Sequence, residues 1–182
     1  KKTFTREEVK VKSVPYKGLV DDGIAYVRLT RFTRNCASEV EDAILELSDE
    51  NDVKGLVLDL RGNPGGLLNE SVSLCNLFID KNQEVVSTKG KIKDWEKSYK
   101  TMKEPLYKEL PLAVLINQSS ASASEIVSGT IQDLDRGVVL GKKSFGKGLV
   151  QQTRKLSYNS QLKVTVAKYY TPSGRCIQAL DY

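Results

Sequence analysis

Residues Val53–Gly66 read "VKGLVLDLRGNPGG". A short apolar run with charged residues at both ends, 53–60, is the pattern of a strand buried on both faces. It runs directly into "RGNPGG", a cluster of turn-forming residues. Beyond that turn Leu68, Val72, Cys75 and Ile79 recur at helical spacing. A buried strand, a small-residue turn and an amphipathic helix in succession make half of a βαβ unit, so this stretch decides the fold class.

The same grammar recurs on either side. Upstream, "IAYVRLTRF" (24–32) alternates as a strand, and Val40, Ala43, Ile44 and Leu47 mark an acidic amphipathic helix. Downstream come a weak strand at 84–87, a second buried strand "PLAVLIN" (111–117) and a helix over 122–134. The last third reads "GVVLG" (137–141), "LVQQT" (149–153) and "LKVTVAKYY" (162–170), strands joined by short loops. Strand–helix alternation predicts an α/β fold with a mostly parallel sheet and additional C-terminal strands. Residues 1–17 read as a linker and edge strand entering a core domain over 18–182. The polar segment 89–110 has no period, and its place before the strand at 111–117 suggests a mobile flap over a groove.

Composition narrows the function classes. A chain of 182 residues fits one domain, which buries roughly 70% of its unfolded surface. The apolar runs fall far short of the ~20 residues that cross a bilayer, and "KKTFTREEVKVK" lacks the apolar core of a signal peptide. The net charge of +5 invites a nucleic-acid reading, but acids interrupt the lysines of 89–108. No RNP-like aromatic pattern, zinc-finger spacing or helix-turn-helix signature accompanies them. A solvated lysine-rich face is the expectation, with no nucleic-acid partner. Three widely spaced cysteines without any histidine build neither a zinc site nor a Cys–His nucleophile, so no metal or cofactor is expected. All three read as buried thiols.

Chemistry gathers where the buried strands end, because helix N-termini there present free N–H groups. "SSASAS" (119–124) follows the second of these strands. Its "SASE" (122–125) is a capping box, with Ser122 accepting from a backbone N–H and Glu125 reaching back. Capping uses one hydroxyl, however, and leaves the other serines and the small alanines unexplained. With no histidine in the chain, a serine nucleophile needs another base. A lysine serves if desolvation lowers its pKa from ~10.4. Lys147, in "SFGKGLVQQ", lies between two glycines that constrain the backbone ahead of an apolar strand. By itself such a lysine is an ordinary surface residue.

Four stretches, "LDLRGNPGG", "SSASASEIVSG", "GKKSFGKGLVQ" and "KYYTPSGRCIQ", resemble in order the signatures of the carboxy-terminal processing (tail-specific) proteases. The resemblance runs from about residue 18 to the end. It implies the ClpP/crotonase type of α/β superhelical core and a Ser–Lys serine endopeptidase without cofactor, working through an acyl-enzyme intermediate. By position it implies Ser122 as nucleophile and Lys147, 25 residues later, as general base. Gln151 would orient the lysine. The backbone N–H groups of Ala123 and of Gly65 or Gly66 would form the oxyanion hole. Ser119 and Cys176 depart from the family's usual glycine and serine. The resemblance further implies protein or peptide substrates taken by their C-termini, a PDZ domain elsewhere in the full-length chain, and a bacterial cell envelope or periplasmic location. Two alternatives share the fold: a non-catalytic ligand carrier and a crotonase-like acyl-CoA enzyme.

Overall fold

A computed structural model describes residues 12–179, together with Lys2 and Thr5. Five strands make the first sheet: β1 (Tyr16–Asp21), β2 (Ile24–Arg28), β3 (Gly55–Asp59), β6 (Leu112–Ile116) and β7 (Val138–Gly141), in the order β1-β2-β3-β6-β7. β1 and β2 form an antiparallel hairpin, and the four strands from β2 to β7 run parallel. Register puts Ala25, Leu56 and Leu112 in one row, and Val27, Leu58 and Val114 in the next. These rows are buried, and Val57, Ala113 and Leu115 between them are half-buried, so the central strands read as apolar runs.

The helices α1 (Cys36–Glu50), α2 (Leu68–Cys75) and α3 (Ala123–Asp133) supply the crossovers. α2 packs between α1 and α3, and their buried residues join a single core with the sheet. The second sheet is antiparallel, in the order β5-β4-β9-β8: β4 (Glu84–Lys89), β5 (Lys97–Lys100), β8 (Leu149–Lys155) and β9 (Gln161–Tyr170). α3 touches both sheets. It packs on β7 and on β4, where buried Thr130 Oγ1 donates to Val85 O at 2.8 Å. α3 therefore bridges the two sheets, and near its start Ser124 Oγ donates to Asn63 O in the loop after β3.

Three expectations change. Segment 89–110 is not structureless. Lys97–Lys100 pairs with β4, Thr101 is buried, and Arg136 donates to the carbonyls of Tyr107 and Leu110. β5 escapes a pattern reading because "KSYK" is an edge strand with little buried surface. Cys36 and Cys75 are buried, but Cys176 is exposed. The strand predicted over 24–32 ends at Arg28. Most of the proposed linker 1–17 lies outside the described residues. Its last part is anchored, since Ser13 and Val14 donate their N–H groups to Glu39 Oε2 at 2.7 and 3.1 Å.

Candidate active site

β3 and β6 are hydrogen-bonded neighbours, so the loops at their carboxyl ends, 60–67 and 117–122, lie side by side. Polar groups sew them together. Ala121 N–H and Ser124 Oγ both donate to Asn63 O, each at 3.0 Å, and Gly62 N–H donates to Asn117 Oδ1 at 3.0 Å. Ser120 Oγ donates to Leu60 O at 2.8 Å and accepts from Asn117 N–H. Asn63 is fully buried, with its amide on Leu29 O at 2.9 Å. These bonds account for the crowded serines. Ser120 and Ser124 are buried braces between loops, a use of hydroxyls that satisfies backbone carbonyls away from water.

Ser122 behaves differently. Its backbone has φ 56° and ψ −112°, a region that costs a residue with a Cβ of order 1–3 kcal/mol. A serine held so at a strand–loop–helix turn projects its hydroxyl out of the turn, the geometry of nucleophile elbows. The Glu125 half of the capping box is formed as a hydrogen bond, with Ser122 N–H donating to Glu125 Oε2 at 2.8 Å. The Glu125 N–H bonds to the Ser122 carbonyl at 2.9 Å, and the half-buried Ser122 hydroxyl donates no hydrogen bond among the described residues. The cap is delivered by Glu125, which leaves the hydroxyl uncommitted.

The glycines of "NPGG" divide their roles. Gly65, at φ +94°, is buried against the turn, and a Cβ there would lie 2.6 Å from Ala121 O and 2.8 Å from Ala123 N. Only glycine permits that approach. Its N–H is occupied by Asn63 Oδ1 at 2.9 Å. The N–H groups of exposed Gly66 and of Ala123, the first residue of α3, have no hydrogen-bond partner among the described residues. Unpaired donors at a helix start form a ready anion site.

Lys147 reaches this region through its backbone. Glu125, nearly fully buried, accepts from Gly146 N–H at 2.5 Å and from Lys147 N–H at 2.8 Å, besides Ser122. Phe145 N–H donates to Ser120 O, and Gly148 N–H to Gln178 Oε1 at 3.0 Å. Gly146 sits at φ +87°, so the constraint inferred from the paired glycines is present. Burial of the lysine beside the sheet is not. The Lys147 side chain is exposed and has no hydrogen bond or ion pair among the described residues. The Gln151 amide meets Thr165 Oγ1 at 3.5 Å, across the β8–β9 pair, instead of Lys147.

Beside the site, Asp59 at the end of β3 is buried. It receives two hydrogen bonds from the Arg61 guanidinium, at 2.9 and 2.8 Å, and one from Tyr26 Oη. Burial pushes its pKa up, but the bonds from Arg61 and Tyr26 outweigh that and hold the carboxyl below the usual range. This ion pair fixes the first turn of the 60–67 loop. Asn63, Glu125, Asp59 and Gln178 were not singled out from sequence as linking these loops; the S-x-x-E spacing alone signalled one of Glu125's three bonds.

Residues 23–181 match Peptidase family S41. The carboxy-terminal-processing protease of Bartonella bacilliformis is 43% identical over 180 residues, covering 97% of this chain and 41% of that protein. A Staphylococcus aureus protein named "Probable CtpA-like serine protease" is 42% identical over 175 residues, 94% of this chain and 34% of its own length. Among solved structures, the photosystem II D1 C-terminal processing protease superposes with a TM-score of 0.79 at 36% identity, over 93% of this chain and 43% of that one. The chain thus spans less than half the length of these relatives. The resemblance drawn from four short motifs extends over nearly all of its residues, and the chain belongs to peptidase family S41.

Proposed function

We propose that the chain is the catalytic core of a serine endopeptidase with Ser122 as nucleophile and Lys147 as general base. The observation that carries this reading is the conjunction at the start of α3. A strained serine with an uncommitted hydroxyl stands beside two unpaired N–H groups, and one carboxylate ties its backbone to that of Lys147. The neutral Lys147 amine takes the Oγ proton as Oγ adds to the scissile carbonyl. The oxyanion accepts from Gly66 and Ala123 N–H, each donor worth about 2.7–4 kcal/mol in such sites. Collapse breaks the C–N bond, and the lysine ammonium returns the proton to the leaving amine. A water deprotonated by Lys147 then hydrolyses the ester and restores the serine.

In the chain alone the Lys147 side chain is exposed, and a substrate bound between the loops covers it and excludes water from the site. A polypeptide in extended form fits a site between two loops better than a folded domain does. The names of the relatives support a preference for C-terminal regions and their organisms a bacterial setting, and the family resemblance supports a cell-envelope or periplasmic location. A PDZ module in the rest of a full-length protein would supply substrate capture by strand addition. Neither the ligand carrier nor the acyl-CoA enzyme has support in the family match.

The test is cleavage of a disordered protein. The unsubstituted chain cuts it, and Ser122→Ala and Lys147→Arg, which keeps a permanent charge, do not. Full activity in either variant would refute the assignment.

A further inference from the structure

The positive charge of the chain is concentrated in one sheet. Segments 84–100 and 149–170, which supply β4, β5, β8 and β9, hold nine lysines and arginines against three carboxylates. Their balance of +6 exceeds the +5 of the whole chain, so everything else nets −1. None of these nine cations forms an ion pair among the described residues. Two are held over aromatic faces instead: Lys89 Nζ lies 5.0 Å from the Tyr170 ring centre, and the Arg154 guanidinium 5.8 Å from that of Trp95. Surface charges of both signs are ordinarily interspersed. An unneutralised sheet is a field that attracts anions.

Within it runs an open groove of about 390 Å³ whose lining includes Lys89, Gly90, Lys91, Val166, Lys168 and Tyr170. β4 pairs with β9 only over Lys168–Tyr170, so the rest of β9, from Gln161 to Ala167, has no strand partner on that side among the described residues. Gly90 itself lies against this edge at Val166, where a Cβ would come 2.3 Å from Val166 O, so the unpaired stretch open to a further strand is Gln161–Thr165. Bare strand edges take extended peptides through main-chain hydrogen bonds. A lipid surface or a nucleic acid would use the lysines but not the edge. The one aromatic face in the groove, Tyr170, is already covered by Lys89. The groove also abuts the proposed catalytic loop. Lys168 stands opposite Leu149 in register, and Tyr169 N–H donates to Gly148 O at 2.8 Å, one residue after Lys147.

We infer that this groove docks an acidic, extended segment of the substrate polypeptide, its carboxylates paired by Lys89, Lys91 and Lys168 and its backbone by the free edge of β9. This specificity site rests on the peptidase reading of the Ser122 site. It selects substrates with Asp or Glu a few residues from the scissile bond.

The experiment measures fluorescence anisotropy of a short Glu-rich peptide and its Gln isostere on the Ser122→Ala chain, which binds without cutting. The Glu peptide binds about tenfold tighter at low salt, and the difference vanishes as the screening length falls from about 10 Å at 0.1 M to about 3 Å at 1 M. The exposed pair Lys89→Glu and Lys91→Glu, made together, abolishes it. Equal binding of the two peptides, an advantage that survives the double substitution, or binding to phosphatidylglycerol vesicles without any peptide preference would overturn the proposal. The unsubstituted chain is then offered both peptides. Cleavage of both alike without a binding preference leaves the peptidase reading standing and removes the groove. A binding preference without cleavage of either does the reverse.

Discussion

The backbone N–H groups of Ser122 and Lys147 converge on one oxygen, Glu125 Oε2, each at 2.8 Å. Two residues far apart in sequence are thereby fixed by a single buried carboxylate that also holds Gly146. Glu125→Ala leaves three donors without their acceptor, and each buried unsatisfied group costs about 1–3 kcal/mol. We expect a loss of stability of about 3 kcal/mol or more in denaturant titration, and loss of cleavage with Ser122 and Lys147 both intact. Glu125→Gln keeps one acceptor oxygen and is expected to fall between. An active, fully stable Glu125→Ala chain would mean that the carboxylate does not position the pair.

The strained backbone at Ser122 gives a prediction that separates catalysis from stability. Ser122→Gly and Ser122→Ala both lose the hydroxyl and are expected to be inactive. Glycine adopts φ 56° freely, whereas alanine retains the strain. Thermal unfolding should therefore show Ser122→Gly more stable than Ser122→Ala, by about 1 kcal/mol.

How much of this was legible in sequence follows the range of each interaction. Strands β3 and β6 and the helices after them come from local apolar patterns, because one face of each strand is buried and the other carries apolar residues that are half-buried, which leaves a continuous run. The "NPGG" cluster marks a turn, but not that Gly65 gives its N–H to Asn63 while the Gly66 N–H has no partner among the described residues. In sequence the serine cluster offers Ser122 both as a cap and as a nucleophile and gives the other serines no role. That Ser120 and Ser124 brace the 60–67 loop depends on partners 60 and 61 residues away, which no local pattern records. The exposure of Lys147 agrees with the ordinary reading of a lone lysine, since flanking glycines report backbone constraint and not side-chain surroundings.

Substitutions at two glycines of one loop should differ sharply. Gly65→Ala forces a Cβ to 2.6 Å from Ala121 O at a positive φ, so the turn carrying Ser122 must move. It is expected to cost about 2 kcal/mol or more and to abolish cleavage. Gly62→Ala meets no atom within 4 Å and bears only the cost of its φ of +76°, about 1 kcal/mol. Paired melting curves and cleavage rates check the contrast.

Acid should loosen the site from the Asp59 side. Its folded pKa lies below the ordinary carboxylate value, so its stabilisation is complete above the unfolded pKa of ~3.9 and is lost as pH falls through the folded one. Asp133 follows the same sign. Burial would raise its pKa, but hydrogen bonds from Ser173, Thr171 and Arg175 bring it below the usual range. Unfolding free energy measured from pH 6 downwards should decline below about pH 4, and Asp59→Asn should flatten part of that decline.

The thiols offer a check on packing. Burial pushes Cys75 up to about 12 and Cys36 further still, whereas Cys176 is exposed. Native protein should react with a thiol reagent at Cys176 alone, and unfolded protein at all three.

The central claim, that Ser122 is acylated with the help of Lys147, is tested most directly by mapping the adduct of a serine-reactive acylating probe. Mass analysis of the digested protein should place one adduct on the peptide containing Ser122. Lys147→Ala should slow its formation by about a hundredfold or more, the contribution expected of a general base. An adduct at Ser120 or Ser124, or labelling of Ser122 that proceeds unchanged without Lys147, would contradict the account.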